Sequence, residues 1–269
     1  MAAQAPVAPE VPSGLPLRVL EYWLYRYRRT WRGTAATSFL SPALYLAAMG
    51  LGLGTLVDDG PGSATLSGAG YLAFLAPGLL AATAMQTAVM ECTWPVLGAL
   101  RWERSYHAMS ATPLRPADLF AGHTLFVTLR LATGMAAFLV VAAAFGAWDS
   151  AWILAAWPAS VLCGLAHGTA VEAFSVTRRT EKDFAALQRF LVVPLFLFSG
   201  TFFPVEQLPA PLTALAYATP LWHGVDLCRD LALGVATAGD SALHVGYLLL
   251  WTAVGALVAV RNYRRRLGV

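Results

Sequence analysis

Charged residues are scarce in this 269-residue chain. Asp, Glu, Lys and Arg make up 12% of it and hydrophobic residues 58%, whereas a soluble domain carries roughly 25% charged residues. The chain has a single lysine, Lys182, and no GxxxxGK[ST] phosphate loop, which excludes ATP binding by that route. The composition therefore indicates an integral membrane protein.

Residues that bind metals or form disulfides are also few. The three cysteines, Cys92, Cys163 and Cys228, fall in or beside different apolar segments, without metal-ligand spacing or a disulfide framework. We expect them to pack as small apolar side chains. No HExxH motif occurs, and the five histidines do not form a ligand set by spacing, so the sequence predicts no metal site.

Six apolar stretches are long enough, or nearly so, to cross a bilayer, which takes roughly 17 to 25 residues of helix. They run approximately over residues 39–57, 71–90, 120–145, 152–174, 184–203 and 243–260. The predicted fold is therefore an all-α integral membrane protein with six transmembrane helices, spread over a membrane domain at 38–260.

Basic residues fix the predicted topology, because short cytoplasmic loops collect Lys and Arg. Sixteen of the eighteen lie before the first span, after the second, around the junction of the fourth and fifth, or after the sixth. Only Arg130 and Arg229 lie elsewhere. Both termini are predicted to be cytoplasmic, in a cell (inner) membrane. Because the charge of +3 is not gathered on one soluble face, no nucleic-acid partner is expected.

The sequence predicts a cytosolic tail at each end of the chain and an interface helix after the first tail. Residues 1–17, rich in Ala and Pro, resemble no secretory signal and are expected to form a disordered cytosolic tail. Residues 261–269 are expected to form a basic cytosolic tail. Between the first tail and the first span, residues 18–33 predict an amphipathic helix in the membrane interface, with a simple topology anchor as the alternative. Its proposed interface residues are Trp23, Tyr27, Arg28, Arg29 and Trp31.

Prolines divide the external segment 204–235 into apolar pieces too short to cross the bilayer. This pattern predicts two short re-entrant helices, near 210–217 and 221–233, before the last span. In the first span, Ala43, Ala47, Gly50 and Gly54 form a stripe of small residues, which suits either dimerisation or packing within one subunit.

Ionisable residues inside the spans are functional candidates by default, because burying them without a partner is costly. For Glu91, His167 and Glu172, near the inner boundary, a structural pair or snorkelling is the favoured interpretation. Arg130 lies deeper, and we expect it to line a polar cavity or to pair with an acid. Ser199 and His244 would be the reactive pair of an intramembrane hydrolase, but Leu197 stands where such enzymes use glycine.

The connection after the second span, residues 101–118, mixes charges, aromatics and two prolines. A helix over about 101–110 followed by a turn would suit a cytosolic element against which a separate ATPase could push. That partner is needed if transport is driven by ATP.

Several sequence blocks, taken in order, are similar to one known family. They are YRRTWRG at 27–33, LSP at 40–42, ATPLRP at 111–116, FSGTFFP at 198–204, LP at 208–209 and TPLWH at 219–223. The chain resembles the membrane subunits of ABC-2 type exporters, especially nodulation-type lipooligosaccharide and daunorubicin-resistance permeases. The resemblance covers nearly the whole chain.

The resemblance implies a half-transporter that forms a homodimer and binds two copies of a soluble ABC ATPase, which would hold ATP and Mg. By this resemblance, the 101–118 connection is the coupling element, and this chain itself binds no cofactor. The implied coupling residues are Arg101, Glu103, Arg104, Pro113, Leu114, Arg115 and Asp118. Family relatives export amphiphilic drugs, lipid-linked glycans or lipooligosaccharides. The candidate residues of the substrate path are Arg130, Phe202, Phe203 and Trp222.

Two other functions stay open at this point. A membrane scaffold or assembly factor would need no ATPase, and an intramembrane hydrolase would need Ser199 and His244 as its reactive pair.

Overall fold

The computed structural model describes residues 15–58, 70–148 and 150–268, and all regular secondary structure in these ranges is helical. This confirms the all-α prediction. Within these ranges, four helices are long and apolar enough to cross a membrane. They are α4 (Tyr71–Arg101), α6 (Pro116–Ala144), α7 (Ile153–Thr177) and α12 (Ala238–Leu267).

The first and fifth predicted spans are each built of shorter pieces joined without a gap. The first consists of α2 (Trp31–Tyr45), a π-helical stretch (Leu46–Leu53) and α3 (Gly54–Asp58). The fifth consists of α8 (Lys182–Leu187), a second π-helical stretch (Gln188–Val192) and α9 (Val193–Phe198). The fifth run ends at Phe198, so residues 199–203 of the predicted span are not helical. A glycine at φ 80°, Gly200, turns the chain there.

Helix α7 forms the centre of the bundle, packed between α4, α12 and α11 (Pro220–Leu233). Small residues permit this close approach. A Cβ atom added to Gly224 would lie 2.3 Å from Sγ of Cys163, and one added to Gly255 would lie 2.4 Å from Oγ1 of Thr169. Large side chains are therefore excluded where α11 and α12 meet α7. All three cysteines are buried and free.

The helices extend beyond the predicted spans at the end of the bundle that carries Arg101, Arg115, Arg178 and Arg264, here called the basic end. Helix α12 continues to Leu267, so most of the predicted basic tail at 261–269 is helical. Helix α1 (Leu15–Tyr27) includes the last residues of the predicted tail at 1–17, and residues 1–14 lie outside the described part of the chain. Long cationic side chains allow a helix to continue past the apolar layer.

The predicted amphipathic helix is shorter than expected. Helix α1 ends at Tyr27, a turn contains Arg28 and Arg29, and Trp31 begins α2. The apolar side of α1 packs largely on protein, since Val19 and Trp23 are buried against α6. Apolar residues have the same helical spacing whether the helix lies on lipid or packs on protein. The sequence therefore could not show that α1 packs on α6.

Two short helices follow the bend, α10 (Ala210–Tyr217) and α11, at the positions where the sequence predicts them. Pro211 and Pro220 each lie in the first turn of a helix, where proline removes no needed hydrogen bond. The small-residue stripe of the first run serves packing within the chain at one point, because a Cβ added to Gly50 would meet Cδ1 of Leu72 at 2.6 Å.

Candidate functional site

A short helix, α5 (Ser105–Ser110), lies at the basic end between α4 and α6. Its only buried side chain is Tyr106, which is 0% exposed. The Tyr106 ring lies 6.3 Å from the Trp23 ring of α1 and 5.7 Å from the Tyr263 ring of α12, measured between centroids. Burial raises the pKa of Tyr106 well above its ordinary value, so the side chain stays neutral. One aromatic side chain thus anchors α5 to two helices of the bundle.

Polar contacts add a second attachment between α1 and the connection to α5. Arg26 forms an ion pair with Glu103, and the Tyr22 hydroxyl lies 3.0 Å from both Oε2 of Glu103 and Oγ of Ser105. The predicted coupling residue Glu103 is therefore engaged by α1. These contacts connect α1 to Glu103 and to Ser105 at the start of α5.

The outward side of this connection forms a groove, here called the basic groove. It is lined by Leu100, Arg101, Trp102, Arg104, His107 and Arg266. All of its ionisable side chains are basic, and Trp102 is 62% exposed. The groove is suited to an acidic protein surface with an apolar contact for the indole.

The 101–118 connection differs from the prediction in detail. Arg101 ends α4, and Arg104 has a φ of 53°, so the helix predicted over 101–110 begins only at Ser105. Pro113 and Arg115 are exposed and Leu114 is half-buried. Asp118 caps α6, its Oδ2 accepting a hydrogen bond of 2.8 Å from the backbone N–H of Arg115. The Asp118 side chain therefore stabilises the first turn of α6.

A polar cavity of about 300 Å³ lies between α2, α4 and α6. Seven of its lining residues carry a hydroxyl or an amide group: Thr34, Thr37, Ser38, Ser41, Thr83, Gln86 and Thr87. Arg130 lies at one wall, with Nε 3.0 Å from Oε1 of Glu91 and Nη1 3.0 Å from the Tyr27 hydroxyl. Both expectations for Arg130 are met, since it lines a cavity and pairs with an acid. Glu91 is the acid in that pair, which agrees with the prediction that it has a structural role.

A second cavity, of about 580 Å³, lies towards the opposite end of the bundle and is here called the aromatic cavity. Its walls include Tyr45, Met49, Tyr71, Phe202 and Phe203. The first helical run lines both cavities, the polar one with residues 34–42 and the aromatic one with residues 45–57.

Trp222, also a candidate path residue, lies outside the aromatic cavity. Its ring packs 4.5 Å from Tyr217 and 5.4 Å from His244. The structure therefore brings Phe202 and Phe203 together and leaves Trp222 apart.

The hydrolase pair is not assembled. Oγ of Ser199 lies 3.4 Å from Oγ1 of Thr219. Nδ1 of His244 lies 2.8 Å from Nδ1 of His223, and its Nε2 lies 3.4 Å from Oδ2 of Asp226. Each residue has different partners, so Ser199 and His244 do not form a nucleophile and base pair in this arrangement.

Arg229 of α11, the one arginine or lysine in the external segment, is not among the functional candidates that the sequence indicates. Its Nη2 donates to the Gly200 carbonyl at 2.6 Å and its Nε donates to the Phe74 carbonyl at 3.2 Å. The guanidinium also lies 3.8 Å from the centroid of the Phe74 ring. Arg229 therefore holds the FSGTFFP bend against the start of α4.

We expect Arg229→Gln to lower stability by about 2–4 kcal/mol, since hydrogen bonds to a charged group contribute roughly 1.5–3 kcal/mol each. Thermal unfolding in detergent measures the effect. Arg179→Gln, at an exposed site, is the matched control and should change little. Equal unfolding temperatures for the two variants would contradict the assigned role.

A bundle of long apolar helices with a charged, anchored connection at one end defines a polytopic membrane protein. Residues 19–233 match the family described as ABC-2 type transporter. The chain belongs to the ABC-2 type transporter family, as a permease subunit in the membrane.

Similar proteins agree with this assignment. The chain is 31% identical to Nodulation protein J of Rhizobium leguminosarum bv. viciae, over 91% of this chain and 95% of that protein. It is 32% identical to Nodulation protein J of Rhizobium leguminosarum bv. trifolii, over 91% and 94%. It is 22% identical to the Inner membrane transport permease YadH of Escherichia coli K12, over 86% and 91%.

Proposed function

We propose that this chain is the membrane permease subunit of an ATP-driven exporter that moves an amphiphilic substrate outward across the inner membrane. The main support is the connection at α5, where Arg101, Glu103 and Arg104 are exposed just before the helix, while Tyr106 anchors the helix to α1 and α12. A partner that binds such an element can move the bundle without entering it. The energy would come from a separate ATPase subunit, which would bind ATP and Mg.

The proposed topology has six spans, with the basic end and both termini in the cytosol. Four spans are α4, α6, α7 and α12, and the helical runs over 31–58 and 182–198 supply the others. Both runs expose large apolar side chains, among them Leu44, Leu56 and Phe190, which suits contact with lipid or with a second permease subunit. Helices α10 and α11 form the re-entrant external segment, and α1 lies at the inner interface.

The proposed substrate path follows the first helical run. The polar cavity offers hydroxyls, Gln86 and the Arg130–Glu91 pair to a polar headgroup near the cytosolic side. The aromatic cavity offers Phe202, Phe203 and Tyr45 to an apolar portion further out. A lipid-linked glycan, a lipooligosaccharide or a hydrophobic drug has such a division of polarity.

The proposed assembly is a homodimer with two ATPase subunits. ATP binding would close the ATPase pair and move α5, which changes the relative stability of inward-facing and outward-facing arrangements. The basic groove would receive an acidic ATPase surface, and exposed Arg28 and Arg29 would face anionic lipid. Pro113, Leu114 and Arg115 complete the proposed contact surface.

Arg104→Glu tests this assignment. Reversing an exposed charge in the basic groove should weaken binding of the ATPase about tenfold or more, because like charges across an interface cost several kcal/mol. Binding of the purified ATPase to the permease in nanodiscs gives the affinity. Arg104→Lys keeps both the charge and the left-handed backbone, so it should bind as the parent does. Unchanged affinity in Arg104→Glu would contradict the proposed docking surface.

A further inference from the structure

Three potential metal ligands from three different helices meet inside the bundle near its basic end. They are Cys92 of α4, His123 of α6 and Glu172 of α7. Their exposed fractions are 1%, 0% and 1%, so all three are withdrawn from water. The proposed transport function assigns no role to these three residues.

Two distances within the cluster match the separation of ligands around one ion. Oε1 of Glu172 lies 3.1 Å from Nδ1 of His123, Oε2 lies 3.9 Å from Sγ of Cys92, and the potential ligand atoms all lie within 4.8 Å of one another. Two ligands of a tetrahedral zinc ion with bonds of about 2.0–2.3 Å are roughly 3–4 Å apart. The carboxylate thus directs one oxygen towards each of the other ligands.

The histidine supplies independent support. Neither ring nitrogen of His123 forms a hydrogen bond with any described residue, although the ring is completely buried. The contact of Nδ1 with Glu172 is short but does not have the direction of a hydrogen bond. A buried imidazole without hydrogen bonds is costly, and coordination of a metal through Nδ1 would satisfy the atom that faces the carboxylate.

Charge balance favours a divalent cation here. A thiolate and a carboxylate together carry two negative charges, which one dication neutralises, and a neutral assembly suits an apolar interior. Thiolate and imidazole ligands select Zn²⁺ over Mg²⁺ or Ca²⁺, which prefer oxygen.

Second contacts hold two of the ligands in place. The Tyr263 hydroxyl donates to Oε1 of Glu172 at 2.8 Å, and the Trp23 ring covers His123 at 4.8 Å between centroids. Such outer contacts orient metal ligands and are a regular part of metal sites.

We propose that Cys92, His123 and Glu172 bind one Zn²⁺ ion that links α4, α6 and α7 at the basic end of the bundle. The expectation of no metal site rests on spacing along the chain, and spacing does not reveal ligands that come from three separate helices. This proposal is independent of the transport function.

Metal analysis of the full-length protein tests the site. The protein is purified in detergent through a tag without histidine, and zinc is measured by inductively coupled plasma mass spectrometry. We expect about one zinc per chain, and at least a roughly tenfold lower content in Cys92→Ser and Glu172→Gln, because each variant removes a ligand. Cys228→Ser alters a buried cysteine that belongs to no such cluster among the described residues, so this variant should keep its zinc.

Cobalt provides a second measurement that does not depend on the zinc supply of the host. Chelator-treated protein that takes up Co²⁺ should show thiolate-to-cobalt charge-transfer absorption, which Cys92→Ser should lose and Cys228→Ser retain. Size-exclusion chromatography establishes that each variant is folded. Parent protein that contains no stoichiometric zinc and binds neither Zn²⁺ nor Co²⁺ would overturn the proposal. His123 and Glu172 would then form a buried pair, with Cys92 packed as an apolar residue.

Discussion

Replacing Tyr106 with alanine should separate ATP hydrolysis from export. Tyr106 is the one buried side chain of α5, between Trp23 and Tyr263. Without its ring, α5 loses its aromatic contacts with Trp23 and Tyr263, while the exposed basic groove can still bind the ATPase. We expect export to fall about tenfold or more, since coupling free energies are typically about 1–3 kcal/mol. ATP hydrolysis by the assembled complex should persist.

Two variants control this prediction. Tyr106→Phe keeps the ring and should remain coupled, because the packing is aromatic. Tyr25→Ala removes a tyrosine of α1 that is 65% exposed, so it should leave both activities unchanged. Export and hydrolysis are measured together on reconstituted vesicles. If Tyr106→Ala exports as well as the parent protein, α5 does not transmit motion through this side chain.

Removing the charge of Arg130 alone should destabilise the permease strongly. Arg130 is 8% exposed and its Nε lies 3.0 Å from Oε1 of Glu91, whose side chain is 20% exposed. Arg130→Gln leaves that carboxylate with no charged partner at the wall of the polar cavity. Breaking a buried ion pair from one side typically costs about 3–5 kcal/mol. The fall should appear as a lower unfolding temperature in detergent.

The double variant Arg130→Gln with Glu91→Gln separates charge from packing. It removes both charges, so most of the lost stability should return, as expected for a coupled pair. Export should remain low in the double variant if the charged pair contacts the substrate headgroup. Equal stability of the single and double variants would show that the pair is not an energetic unit.

The long helices could be predicted from the sequence because their signal is local. Helices α4, α6, α7 and α12 each correspond to a long apolar run, and the prolines of the external segment marked α10 and α11 near their observed bounds. Hydrophobicity fixes these elements, since backbone groups in hydrocarbon must bond within the helix.

Other features depend on contacts between distant residues and could not be predicted from the chain alone. The burial of Trp23 on α6 needs the fold, because an amphipathic helix on lipid shows the same periodicity. The roles of Asp118 as a helix cap and of Arg229 as a clamp on Gly200 also appear only in three dimensions. Cys92, His123 and Glu172 lie on three helices, so their proximity leaves no spacing pattern.

Purification of the tagged chain in mild detergent from its native host tests the central proposal most directly. Mass spectrometry identifies what remains bound, and a known ABC complex handled in parallel confirms that such assemblies survive the conditions. We predict a stoichiometric soluble ATPase with a phosphate loop. A preparation without any such ATPase, under conditions that preserve the reference complex, would contradict the exporter assignment and favour a scaffold or assembly factor.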